Sequence, residues 1–90
     1  MSKNKTILVD PLFEEAARLF VKEQKASPSL LQRTFQIGFN RASLIMDDLK
    51  ETGIVSDAWG ARPREVLIHD EASLENHLNS LNYKMVPEYN

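Results

Sequence analysis

A mainly α chain with one small β-hairpin, α+β in class, is the architecture this sequence encodes. Two cap-and-proline pairs, Asp10-Pro11 and Ser27-Pro28, open segments whose apolar residues recur at helical spacing. A third such segment follows Gly38 and stops at Gly53, and beyond it two short β-branched runs flank a glycine- and proline-bearing loop. Ninety residues fit one domain, and 42% hydrophobic with 27% charged residues suits a packed chain rather than a disordered one.

The first helix is expected from Asp10-Pro11 to about Glu23, with Asp10 as the cap and Pro11 at the first helical position. Phe13, Ala16, Ala17 and Phe20 mark its buried face, and Glu14 and Glu15 suit the positive end of the helix dipole. The second helix runs from Pro28 to Phe35 behind the Ser27 cap and offers Leu30, Leu31 and Phe35 to the core. Gly38 is expected to supply the positive φ that ends it. Asn40 then caps a third helix in which Ala42, Ile45, Met46 and Leu49 form one apolar stripe. Ile54-Val55-Ser56 and Val66-Leu67-Ile68 read as two strands joined by the loop from Asp57 to Pro63.

Three helices followed by a hairpin is the chain order of a winged helix-turn-helix, a three-helix core plus a wing. This unit is expected to occupy residues 10–68, behind an N-terminal tail over 1–9 that ends in the extended piece Ile7-Leu8-Val9. Residues 69–90 form an acidic appendage: an extra C-terminal helix, capped by Asp70 or Ser73 and carrying Leu74, Leu78 and Leu81, then a frayed end from Tyr83 to Asn90.

Composition narrows the function. With no cysteine and only His69 and His77, the chain offers no disulfide and argues against a zinc site. No apolar run approaches the roughly 18 residues of a membrane span, and three apolar residues after the N-terminal lysines are too few for a signal peptide, so the expected location is cytoplasmic. There is no glycine-rich phosphate loop with its lysine, and no motif joins either histidine to a serine nucleophile. The expectation is a non-enzyme without catalytic residues, cofactor or metal. The net charge of −2 argues mildly against nucleic acid, but its distribution is uneven: Lys22, Lys25, Arg33 and Arg41 stand against Glu23 alone, while the segments after Ala42 and after His69 are acidic.

In a helix-turn-helix the second motif helix lays its N-terminal residues against base edges in the major groove. With the stripe from Ala42 to Leu49 buried, the outward face holds Asn40, Leu44, Asp47 and Glu51, flanked by Arg41, Ser43 and Asp48. Asn40 either pairs with adenine or only caps the helix, and Arg41 either meets guanine or phosphate or is a solvated charge. Arg33 is placed to meet phosphate or stays free. Ser27, besides capping, can donate to phosphate. Arg62 and Arg64, beside Pro63, suit a minor groove or simply solubilise the loop. Leu44 fits a thymine methyl or a protein partner, and Trp59 is a core lid or a wing tip.

Six segments in order resemble the C-terminal gamma module of the FtsK/SpoIIIE family of bacterial DNA translocases: Asp10-Pro11-Leu12-Phe13-Glu14-Glu15-Ala16, Ala26-Ser27, Gln32-Arg33, Ile37-Gly38-Phe39-Asn40-Arg41-Ala42, Gly53-Ile54-Val55-Ser56 and Arg64-Glu65-Val66-Leu67. The resemblance implies a winged helix at the end of a hexameric motor that reads short, polar, G-rich sequences on double-stranded DNA and so orients translocation in chromosome segregation. It implies the motor domain as a partner and, in some members, a tyrosine site-specific recombinase. It gives Asn40 and Arg41 the part of the recognition-helix pair and Arg33 that of the preceding helix's arginine. Many members carry arginine where this chain has Leu44, and some where it has Gln36, so the family's own DNA site does not carry over. A protein-interaction winged helix and a free-standing transcription regulator are the alternative readings.

Overall fold

The computed structural model describes residues 6–58 and 64–87. Strand β1 (Ile7–Val9) leads into helices α1 (Phe13–Glu23), α2 (Pro28–Phe35) and α3 (Phe39–Glu51), followed by the wing base, helix α4 (Glu71–Ser80) and strand β2 (Tyr83–Met85). The class is α+β, mainly helical, in a winged-helix arrangement with an added C-terminal helix.

Periodicity placed the core correctly. Phe13, Ala16, Ala17 and Phe20 of α1, Leu31 of α2, and Ala42, Ile45, Met46 and Leu49 of α3 are buried together. Leu30 and Phe35 pack half-buried at its margin. In α4, Leu74 and Leu78 complete the core, and Leu81, just past the end of the helix, lies at its edge. At about 25 cal/mol per Å2 of apolar surface, this shared burial is the main force that holds the helices together.

Helix boundaries moved where tertiary partners outcompeted local rules. α1 starts at Phe13, two residues late: Asp10 and Pro11 form a turn in which Asp10 accepts from Leu12 N–H through its carboxylate (2.8 Å) and from Phe13 N–H through its carbonyl (2.9 Å). α2 begins as expected, with Ser27 Oγ accepting from Leu30 N–H at 3.1 Å. It ends not on Gly38 but on Gln36, whose φ of 57° is left-handed. Gly38 is extended and stands before α3, and it caps no donor with a side chain. Asn40 is therefore not the cap of α3 but lies inside its first turn. Gly53, with φ of 81°, turns the chain out of α3 as expected.

The two expected wing strands reduce to a single antiparallel bridge, Val55 to Val66. Ser56 N–H to Glu65 carbonyl and Leu67 N–H to Ile54 carbonyl, both 2.9 Å, flank it. A second bridge, Ala26 to Arg64, ties the wing base to the turn before α2. Trp59, Gly60, Arg62 and Pro63 lie outside the described residues.

The C-terminal segment departs most from expectation. Tyr83–Met85 is not frayed but pairs in parallel with Ile7–Val9, in the register Ile7 to Tyr83 and Val9 to Met85. The Tyr83 ring stacks at a tilt on Phe13, 5.2 Å between centroids, and its hydroxyl donates to Glu14. α4 is capped by Asp70, whose carboxylate accepts from Ser73 N–H at 2.7 Å. Arg18 of α1 reaches Glu75 of α4 at 2.8 Å.

Candidate nucleic-acid interface

Helices α2 and α3 set the site. The turn between them, Gln36 to Gly38, is short, and the left-handed Gln36 reverses the chain without a glycine, at a cost of about 1–2 kcal/mol. Residues 36–41 line a shallow depression of about 490 Å3 at this corner.

Because Ala42, Ile45, Met46 and Leu49 are buried, the 100° step of the helix turns Asn40, Leu44, Asp47 and Glu51 to solvent. Ser43 and Asp48 are half-buried on the flanks. Asn40 is exposed and, among the described residues, has no side-chain partner, so its amide keeps both the donor and the acceptor that adenine would need. Leu44 is 50% exposed and the neighbouring Phe39 59%, so the start of α3 presents apolar surface with its polar groups. Arg33 is exposed in the last turn of α2, also without a partner among the described residues.

Arg41 behaves differently from its neighbours. Its Nε donates to Asp10 Oδ2 at 3.0 Å and its Nη2 to Asp10 Oδ1 at 2.9 Å, a two-pronged charge-assisted pair. The Arg41 side chain is only 23% exposed and that of Asp10 4%. A solvated Arg41 is thereby ruled out. Asp10 also donates its backbone N–H to Asp48 Oδ2 at 3.0 Å. Sequence reasoning treated Asp10 only as a cap and missed its grip on α3; the sole clue was an acid 31 residues before an arginine, which no spacing rule connects.

Burial pushes the Asp48 carboxyl above its ordinary value, the negative charges of Asp10, Asp47 and Glu51 push it the same way, and the Asp10 N–H opposes them. The acidic half of α3 thus lies toward its C-terminal end, away from Asn40.

Ser27 Oγ is spent as an acceptor on the cap of α2, yet its hydroxyl proton remains a donor. Arg64, at the wing base, is half-buried, and its buried Nη1 has no hydrogen-bond partner among the described residues. Arg62 lies outside the described residues. The expected site residues therefore fall in two groups: Arg33, Asn40, Arg41, Ser43 and Leu44 on the end of α2 and the first half of α3, Ser27 and Arg64 where the wing base meets the turn before α2.

The two histidines are structural in their contacts. His69 Nδ1 meets Gln24 Oε1 at 3.1 Å, and His77 Nε2 donates to the carbonyl of Thr52 at the end of α3. Among the described residues, no group of three or more His, Cys, Asp or Glu side chains is arranged to hold a metal ion, and no helix is long and apolar enough to cross a membrane.

Comparison with known proteins identifies the family. The profile of the Ftsk gamma domain matches residues 8–69. The DNA translocase FtsK of Chlorobaculum tepidum is 56% identical over 72 residues, which is 80% of this chain and 9% of that protein. The DNA translocase FtsK of Streptococcus pyogenes serotype M3 is 53% identical over 58 residues, 64% of this chain and 7% of that protein. That of Staphylococcus aureus strain Mu50 is 52% identical over 59 residues, 66% of this chain and 8% of that protein. The chain spans less than a tenth of the length of these curated relatives. With most of its length matched at this level, the chain belongs to the FtsK gamma domain family.

Proposed function

We propose that this chain is a non-enzymatic, sequence-sensitive module that binds double-stranded DNA on behalf of a DNA translocase and orients its movement in chromosome segregation. The observation that carries the reading is the start of α3: Asn40 is exposed and unengaged one turn before Leu44, and Arg33 is likewise exposed and unengaged in the last turn of α2. Such a helix start fits a major groove. In this reading Asn40 contacts a base edge, Leu44 a thymine methyl and Ser43 a neighbouring base or phosphate. Arg33 and Ser27 meet phosphate, and Arg62 and Arg64 carry the wing's contact.

The relatives are named DNA translocases, and the motor domain of such a protein, in the cytoplasm, is the natural partner. A net charge of −2 makes a single copy a weak binder. Several copies joined to one motor bind at high effective concentration and recover the affinity.

Anisotropy titrations against short duplexes at two salt concentrations, with G-rich polar sites and scrambled controls, test this. Preference for one oriented sequence, with a salt slope equivalent to a few phosphate contacts, is expected. Equal binding to all duplexes, or none, would contradict it.

One observation favours a second reading. Phe39 and Leu44 are both large, apolar and at least half exposed on the same helix start, and such a pair suits a protein partner such as a tyrosine recombinase. Leu44→Arg separates the two: it adds a cation to the helix face and strengthens duplex binding if α3 faces DNA, and it abolishes partner binding if α3 faces protein.

A further inference from the structure

We propose that Asp10 is a positioning residue for the DNA-reading helix: it grips α3 at Arg41 and Asp48 and so sets how Asn40 and Leu44 face the groove. The inference rests on the proposed DNA-binding reading and reassigns Arg41 from base reader to the handle by which α3 is held.

Arg41 and Asp48 are seven residues apart in α3, two turns, and so lie on nearly one line along the helix. Asp10 meets both. Its carboxylate takes Nε and Nη2 of Arg41, at 3.0 and 2.9 Å, and its backbone N–H donates to Asp48 Oδ2 at 3.0 Å. One contact alone would let α3 roll or slide. Two contacts to side chains rooted about 10 Å apart along the axis restrain both motions. Asp10 itself is held: Leu12 N–H donates to its carboxylate, and Phe13, whose N–H meets its carbonyl, is fully buried.

The precision matters because a helix with side chains has a radius of about 5–6 Å, so a roll of about 20° moves a side-chain tip by roughly 2 Å. A hydrogen bond to a base edge does not survive that displacement. The charge on Asp10 would, on simple electrostatics, weaken DNA binding from this side of the molecule. Its burial and its two-pronged pairing indicate that orientation outweighs that cost.

The two accounts of Asp10 predict opposite signs. Asp10→Asn removes a negative charge, so if only charge matters it tightens duplex binding. If Asp10 positions α3, Asp10→Asn weakens binding to the preferred duplex by about tenfold, with little change on scrambled duplex. Arg41→Gln breaks the same pair from its more exposed side and is the companion variant should Asp10→Asn fold poorly. Its salt slope should match that of the unaltered chain, whereas loss of a phosphate contact would lower the slope by about 0.9. The double variant should bind no worse than either single one. Amide exchange on the DNA-free chain gives a separate readout: both variants should speed exchange at Ala42 to Ile45, the first hydrogen-bonded amides of α3. Equal or tighter binding by Asp10→Asn, a lowered slope for Arg41→Gln, or unchanged exchange overturns the proposal. If the unaltered chain binds no duplex at all, the DNA-binding reading fails, and the exchange result alone decides whether Asp10 fixes α3.

Discussion

The two sides of this domain treat several of their polar groups differently. On the side formed by β1, α1, α4 and β2, a set of polar side chains is engaged within the domain. Tyr83 donates to Glu14, Arg18 pairs with Glu75, Asp70 caps α4, and Gln24 donates to the carbonyls of Val21 and Ile68. Burial and the Glu14 carboxylate push the Tyr83 hydroxyl up to about 12, so it stays a donor at any physiological pH. On the side formed by α2 and the start of α3, Arg33 and Asn40 are exposed and have no partner among the described residues. A polar group paired internally contributes to stability, while one left open is available to a ligand. The contrast separates a closing side from an open side around a single small core.

The largest expected effect lies on the closing side. Phe13 is fully buried and carries Tyr83 on its ring, so Phe13→Ala should cost about 3–5 kcal/mol, read as a lowered denaturant midpoint. An effect below about 1 kcal/mol would mean that β2 and α4 do not share the core's cooperativity. Next, Asn40→Ala should leave stability within about 0.5 kcal/mol, as for an exposed site, yet weaken preferred-duplex binding by about 1–3 kcal/mol. The opposite pattern, stability lost and binding kept, would erase the distinction between the two sides.

Smaller changes sharpen the comparison at the helix starts. Ser27→Ala removes the cap of α2 and should cost about 1 kcal/mol in thermal or chemical unfolding. No comparable substitution exists at the start of α3, where Gly38 offers no side chain to lose. The smallest effect concerns Asp48. Its raised carboxyl holds a proton more tightly folded than unfolded, so native stability rises as pH falls through the range just above the ordinary value of 3.8 and is lower at neutral pH. Asp48→Asn should flatten that part of the pH–stability curve. It should also stabilise the neutral protein slightly. Unfolding midpoints measured from pH 4 to 7 check both.

Which parts of this were legible in the sequence follows the range of the forces involved. Apolar periodicity is a direct record of burial, so the stripes of α1 and α3 were readable residue by residue, as was the solvent face from Asn40 to Glu51. Local capping was readable at Ser27, where the donor is three residues away, and at Asp70. It misled at Asp10, because a carboxylate taken by Arg41 from another helix does not also begin a helix in the usual register. It misled again at Gly38, because Gln36 adopted the left-handed turn earlier in the chain. Asn40 has the side chain of a cap, but the two-residue shift that makes Gly38 the cap and Phe39 the first residue of α3 removes that role. The parallel pairing of Tyr83–Met85 with Ile7–Val9 joins the two ends of the chain. Nothing in three mixed residues announces a partner so far away, so a paired strand read as a frayed end. Arg33, Asn40, Ser43 and Leu44 were legible as a surface, while the Arg41–Asp10 pair was not.

The most direct test of the two-sided account is to map backbone amide shifts as a G-rich duplex is titrated into the chain. The account predicts shifts concentrated at Arg33, at Phe39 to Asp47 and around Ser27 and Arg64, with α4 and β2 silent. Shifts centred on Glu71 to Met85, with the start of α3 unmoved, would contradict it.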